Sequence, residues 1–257
     1  MFVADYIWEK FDHPKLHELR TEFSLNQVIS SGKTEMEKQI LLRHWVSGVL
    51  PSGRPKDYSR LSALDILRDA KTGNTFWCTE YAFTFLQCAT ALGWYARKLA
   101  IDWNHEREQR DRHHGIADIW SNQFEKWYAV DAQHDLHYEK DGMPLNTLEI
   151  RMEYLGNKAQ NVKGVYGDGT VVSYGYDNQG FNTPSNYFWF FISQRNNFLE
   201  APGLFDTKAY LWRDGYNKDK TWYRNEGNVS MEHPMYKAQF VFTQDQKLCF
   251  PDMTKVR

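Results

Sequence analysis

The stretch "CTEYAFTFLQCATALGW", Cys78 to Trp94, is apolar around most of a helical circumference. Ala82, Phe85, Ala89 and Leu92 fall on one face, and Tyr81, Phe85 and Cys88 lie beside them. A helix of this kind has no side to offer to water. It must sit at the centre of a fold, with other elements covering it. Gly93 ends the pattern, as a residue free to adopt the left-handed conformation commonly does.

The chain before this helix reads as helical, and the chain after it as sheet. "HPKLHELRTEF" and "TEMEKQILLRHWVSGVL" repeat apolar residues three and four apart; Ile40, Leu41, Trp45 and Val46 form one stripe. Thr34 is placed to cap the second of these, with Glu37 at the capping-box position. "PSGRPKDYS" is loop and "LSALDILRDAK" a short helix. Beyond Gly93, "YARKLAID", "HGIADIWS" and "KWYAVDA" read as strands, the second by strict alternation. "DWNHEREQRDRH" is a charged, solvated loop that leads into "HGIADIWS", where it can also form a lip. "PLNTLEIRMEYLGN" is helical, and "VKGVYGDGTVVSYGY" predicts a hairpin turning on Asp-Gly. "GYDNQGFNTPSN" is a mobile loop, "YFWFFISQ" a buried strand, and the last fifty residues read weakly as strands. The order is helices, one buried helix, then an antiparallel sheet, which is an α+β fold. With 257 residues, 42% hydrophobic and 25% charged, the chain can bury a large core as a single domain, 1–257.

Bulk properties exclude several classes. A net charge of −2 gives no basic field for nucleic acid. No apolar run reaches the roughly 18–20 residues of a membrane span. The opening "MFVADYIWEKFDH" lacks the basic start and apolar middle of a signal peptide. The expected compartment is cytoplasmic if Met1 is the native start, and secreted or periplasmic if a leader has been removed. Three cysteines cannot form a disulfide framework and leave at least one free thiol; no CxxC pair suggests a zinc ribbon.

The chemistry gathers at Cys78. A thiol at a helix N-terminus meets unpaired N–H groups and the positive end of the helix dipole, and both favour thiolate. Cys88 is ten residues into the apolar pattern and has no such help. A nucleophilic thiol also needs a base, and the base an orienting group. In "HGIADIWS", His114, Ile116, Asp118 and Trp120 share a face; in "KWYAVDA", Trp127, Ala129 and Asp131 share one. If these strands pair as a short hairpin, His114 and Asp131 can be neighbours, with the other imidazole nitrogen left for Cys78. That is the logic of an acyl-transfer triad.

"CTEYAFTFLQCATALGWYARKL", followed by a strand beginning "HGIAD" and then "KWYAVDAQ", resembles the transglutaminase-like superfamily of papain-like cysteine enzymes. The resemblance covers residues 61–157, with 1–60 as an N-terminal helical part and 158–257 as a β-rich elaboration that matches no family. It implies Cys78 as nucleophile, His114 as base and Asp131 as orienter. It also matches Asp118, four after the histidine, as an auxiliary residue or else only a surface carboxylate or salt-bridge partner, and Trp127, four before Asp131. His113 competes with His114, but alternation puts the two on opposite faces and Asp118 favours His114. Animal transglutaminases carry Gln before the Cys, where this chain has Trp77. The oxyanion donor is therefore expected from the Cys78 backbone, with Asn74 or the Trp77 indole beside it. Trp120, Trp127 and His134 are expected along a substrate groove. Aromatics such as Tyr166, Tyr174 and Tyr176 serve packing, or stack on sugar or peptide.

The implied activity is hydrolysis of an amide through a thioacyl intermediate, without a cofactor, on a peptide, protein or glycopeptide substrate. Glutamine transamidation, deglycosylation of an Asn-linked glycan, and a non-enzymatic peptide- or glycan-binding module are the alternatives. His105, His113, His114, His134 and His137 invite a metal reading, but no HExxH occurs and the spacing matches no zinc pattern; no metal is assigned. His134 and His137 are expected on the turn after Asp131, near the rim of the site. Cys88 and Cys249 read as core residues, as free cysteines commonly are.

Overall fold

In the computed structural model, residues 6–55, 62–103, 113–174, 182–200, 208–217 and 239–256 are described. The solvated loop expected at residues 102–113 and the loop expected from residue 175 fall mostly outside them, as do His105 and Tyr176. No helix among the described residues is long and apolar enough to cross a membrane.

Among the described residues five helices come first: α1 (Pro14–Glu22), α2 (Leu25–Val28), α3 (Glu35–Val49), α4 (Ala63–Ala70) and α5 (Cys78–Ala91). Helix α3 starts as its sequence predicts. The Glu37 N–H donates to Thr34 Oγ1 and the Thr34 N–H to Glu37 Oε2, each at 3.2 Å. Helix α5 is the buried helix, with every residue from Glu80 to Ala91 closed to solvent. It ends in a Schellman pair: the Trp94 N–H reaches the Ala89 carbonyl and the Gly93 N–H the Thr90 carbonyl, with Gly93 at φ +90°.

The strands are β1 (Ala96–Asp102), β2 (His114–Ser121), β3 (Lys126–Asp131), β4 (Leu136–Lys140), β5 (Met143–Pro144), β6 (Lys163–Tyr166), β7 (Val171–Ser173), β8 (Trp189–Ser193), β9 (Lys208–Trp212) and β10 (Gln239–Thr243). Helix α6 (Thr147–Asn157) comes after β5, and the short α7 (Gln246–Cys249) after β10. Among the described residues ten strands form one sheet, nine in the order β10-β9-β8-β1-β2-β3-β4-β6-β7 and β5 paired with β4 at the side. The Asp168-Gly169 turn joins β6 and β7 as expected, with Gly169 at φ +86°.

Two expectations need correction. The sheet is mixed, because β10 runs parallel to β9. Residues 213–238 separate those strands, and a connection of that length permits the parallel return that a hairpin forbids. The first residues are also not purely helical. Ile7 forms a bridge with Arg195, and its N–H and C=O bond to Gln194 and Asn196 beside β8. The stretch 158–257 continues the same sheet on both sides, as β6 and β7 at one edge and β8 to β10 at the other.

Alternation divides the sheet into two cores. Ala117 and Ile119 of β2, with Tyr128 and Val130 of β3, pack with Phe83, Phe85, Leu86 and Ala89 of α5. Ile116 and Ala129 face the other way, among Leu136, Tyr138, Leu148, Ile150 and Cys249. Burying side chains of this size stabilises the fold by about 1.5–3 kcal/mol each before entropy is counted. The site lies where α5 meets the start of β2.

Candidate active site

Helix α5 is fixed at its mouth by the chain before it. The Phe76 N–H donates to the Pro51 carbonyl at 2.9 Å and the Gly53 N–H to the Phe76 carbonyl at 3.0 Å. Trp77 is extended, and its N–H donates to Glu80 Oε2 at 3.0 Å, which takes up the first donor of the helix. Cys78 is the first helical residue, half-buried, at a position whose N–H has no acceptor within the helix.

Strand β2 begins at His114, opposite Ile101 of β1. The hairpin to β3 pairs Trp120 with Trp127, Asp118 with Ala129 and Ala117 with Val130. That register brings Asp131 beside the start of β2, and His114 Nε2 lies 2.7 Å from Asp131 Oδ2. The Cys78 thiol faces the His114 imidazole and the Gly115 N–H, the two neighbours that most favour its ionised form. With Nε2 engaged by Asp131, Nδ1 is the nitrogen left for the thiol. Cys78, His114 and Asp131 are thus brought together from three elements.

The electrostatics derive from these contacts. Burial alone would push the Cys78 thiol up; the hydrogen bond and charge of His114, the Gly115 N–H and the charge of His113 outweigh it and bring the thiol down to about 6. Burial would lower His114, but the Asp131 carboxylate and the sulfur hold its imidazolium and raise it to about 10. Asp131 is buried too, yet the charges and hydrogen bonds of His114 and His134 hold its carboxyl well below the usual carboxylate range. Both shifts favour thiolate and imidazolium over the neutral pair. Burial pushes the ammonium of Lys98 on β1 down, against the opposing charges of Cys78 and Glu80.

Asp131 is a hub. Its Oδ1 accepts the N–H of Gln133 at 3.1 Å and of His134 at 3.0 Å. Its Oδ2 accepts from His134 Nδ1 at 2.8 Å as well as from His114. The turn that does this is clamped through Asp135, which accepts from Arg43 Nε at 2.8 Å and bonds His44 Nδ1 at 2.6 Å. The sequence places His134 only along a groove; its bond to Asp131 is a finding of the structure. The available signal is an aspartate with amides two and three residues later that it can bind, a habit of turn-forming Asp. The ligand atoms of His114, Asp131 and His134 all lie within 4.8 Å of one another, which makes them the group of described side chains able to hold a metal ion.

The remaining expected residues lie elsewhere or play other parts. Asp118 is fully buried and paired with Arg97 at 2.8 Å, with Thr147 Oγ1 at 3.5 Å. The Arg97 guanidinium in turn lies 4.2 Å from the Trp127 ring. Trp120 and Trp127, expected to line a groove, are 3% and 1% exposed. They are core instead, because their face of the sheet is covered by Met253, with Trp8 packed against it. His137, expected at the rim, is buried on β4, accepting from Arg43 at Nδ1 and bonding Glu139 at Nε2. His113 is directed to Asp102, 3.6 Å away, rather than to Asp131. Asn74 lies in the turn before α5, its N–H on the Asp69 carbonyl at 3.4 Å. Trp77 is 45% exposed beside Cys78.

No protein-family model matches the sequence, and no curated protein matches it. Among solved structures, one described as a candidate cysteine protease from Cytophaga hutchinsonii aligns at 14% identity and a TM-score of 0.37, over 66% of this chain and 60% of its own. Another, described as a candidate protease from Parabacteroides distasonis, aligns at 14% identity and a TM-score of 0.31, over 63% of this chain and 31% of its own. The chain spans less than two thirds of the first neighbour's length and under a third of the second's.

Proposed function

We propose that the protein is a cysteine-dependent acyl-transfer enzyme that hydrolyses an amide bond, with residues 61–157 as a transglutaminase-like core. One observation carries this reading: a thiol at the mouth of a buried helix, beside an imidazole whose Nε2 lies 2.7 Å from a buried carboxylate. The Cys78 thiolate attacks the carbonyl carbon. The oxyanion that forms accepts the Cys78 N–H, with the Asn74 carboxamide or the Trp77 indole as the second donor. His114 gives the Nδ1 proton to the leaving amine, and the carbon–nitrogen bond breaks to leave a thioester. Water then loses a proton to His114 and attacks the thioester, and the thiolate returns. Asp131 stays ionised throughout, holding the ring's orientation and its positive charge. Asp118 has a structural part, since its carboxylate is committed to Arg97.

The test is intact mass after brief incubation with a panel of peptides, glycopeptides and simple amides, quenched in acid. The expected result is an acyl adduct on wild-type protein that is absent from Cys78→Ala. Adding a primary amine separates the acceptors: a free acid indicates water, and an amide product indicates amine transfer. No adduct and no turnover on any member, with the thiol slow to alkylate, would favour a binding module.

A further inference from the structure

Asp131 Oδ2 is approached by two imidazole nitrogens, His114 Nε2 at 2.7 Å and His134 Nδ1 at 2.8 Å. One ligand atom from each of three side chains lies within 4.8 Å of the other two. We propose that His114, Asp131 and His134 bind a divalent transition ion of the zinc class, and that the bound ion arrests the site. The arrest rests on the reading of His114 as the base for Cys78; the binding does not.

Two imidazole nitrogens and one carboxylate oxygen are a donor set that zinc takes readily, with a fourth position left for water. The present separations hold protons rather than an ion. Ligand bonds of about 2.0–2.2 Å require the donors to move apart by roughly half an ångström. His114 and Asp131 are buried, but the His134 side chain is 30% exposed and sits on the turn after β3, which supplies both the slack and an entry path. Asp131 Oδ1 is already held by the amides of Gln133 and His134, so the carboxylate is oriented from behind, as hydrogen-bond partners orient metal ligands elsewhere. On uptake, the protons on His114 Nε2 and His134 Nδ1 leave to solvent. His114 keeps its Nδ1 proton toward the sulfur. With Nε2 on the ion instead of the carboxylate, the ring no longer forms the imidazolium that the thiolate and the leaving amine require. The sequence spacing hides this site, because His114 comes from a different strand and only the fold brings it to the other two.

Calorimetric titration of zinc chloride into the full-length Cys78→Ala chain tests the site without any need for activity. One ion per chain is expected. Adding His134→Gln should weaken uptake by more than about a hundredfold, since losing a direct ligand costs more than losing a residue that only orients one. Glutamine retains an amide donor for Asp131, so the turn is kept, and circular dichroism checks the fold. Three results would overturn the proposal: no uptake by Cys78→Ala, uptake by wild type that Cys78→Ala abolishes, or equal uptake with and without His134→Gln. Uptake as expected in a protein that shows no turnover would leave the site standing and remove the enzymatic reading instead.

Discussion

Cys78 and Cys88 lie on the same helix, one at its first residue and the other nearly three turns inside. Burial works against ionisation at both. At Cys88 nothing opposes it, and the thiol is pushed well above its ordinary range. At Cys78 an imidazolium, a backbone N–H and a second histidine's charge reverse the outcome, and the thiol falls to about 6. Cys249, in the other core, is pushed up to about 12. The difference comes from what the neighbouring strands present to the helix's first turn. The same contrast holds between two buried aspartates of the sheet. Asp118 faces Arg97, and burial still raises it; Asp131 faces two imidazoles and is held low.

Breaking the contrast at the sulfur has the largest expected effect. Cys78→Ala should lower turnover by about four orders of magnitude or more, as removal of a nucleophile does elsewhere. Cys88→Ala should leave turnover unchanged and cost about 1–2 kcal/mol of stability as a small buried void. Equal losses of activity in the two would erase the distinction. Next comes Asp131→Asn, which should keep the fold and slow turnover by about a thousandfold to ten-thousandfold, with alkylation of Cys78 shifted to higher pH. Asp118→Asn sharpens the contrast between the aspartates. It should destabilise the fold by about 3–5 kcal/mol by stranding Arg97, as read by denaturant unfolding, yet leave the pH dependence of Cys78 alkylation in the folded protein unchanged. Smallest is Thr34→Ala, remote from both, expected to cost about 1 kcal/mol through the lost α3 cap with no change at either thiol.

Local chemistry is legible in the sequence. Thr34 and Glu37 announce a helix start, and Gly93 a helix end, because caps and left-handed turns depend on neighbours a few residues away. The apolar circumference of residues 78–92 announces a buried helix, and alternation in β2 and β3 predicts which residues share a face. Placing His114 near Asp131 needs only one hairpin. The features that escape the sequence depend on distant chain. Whether Trp120 and Trp127 line a groove or a core is decided by Met253 and Trp8, near opposite ends of the sequence. The burial of His137 depends on Arg43, reaching across from α3. The parallel pairing of β9 with β10 is likewise non-local. Alternation assigns a face but not what covers it.

The most direct measurement is the rate of iodoacetamide labelling of Cys78 in the folded protein as a function of pH, read out by peptide mass spectrometry. Because the folded thiol is lowered from 9.0 to about 6, thiolate is lost only as pH falls through that value, and labelling should already be near its plateau at neutral pH. Cys88 should stay unmodified until the protein unfolds. A labelling midpoint near 9 for Cys78, the same as in the unfolded chain, would contradict the account.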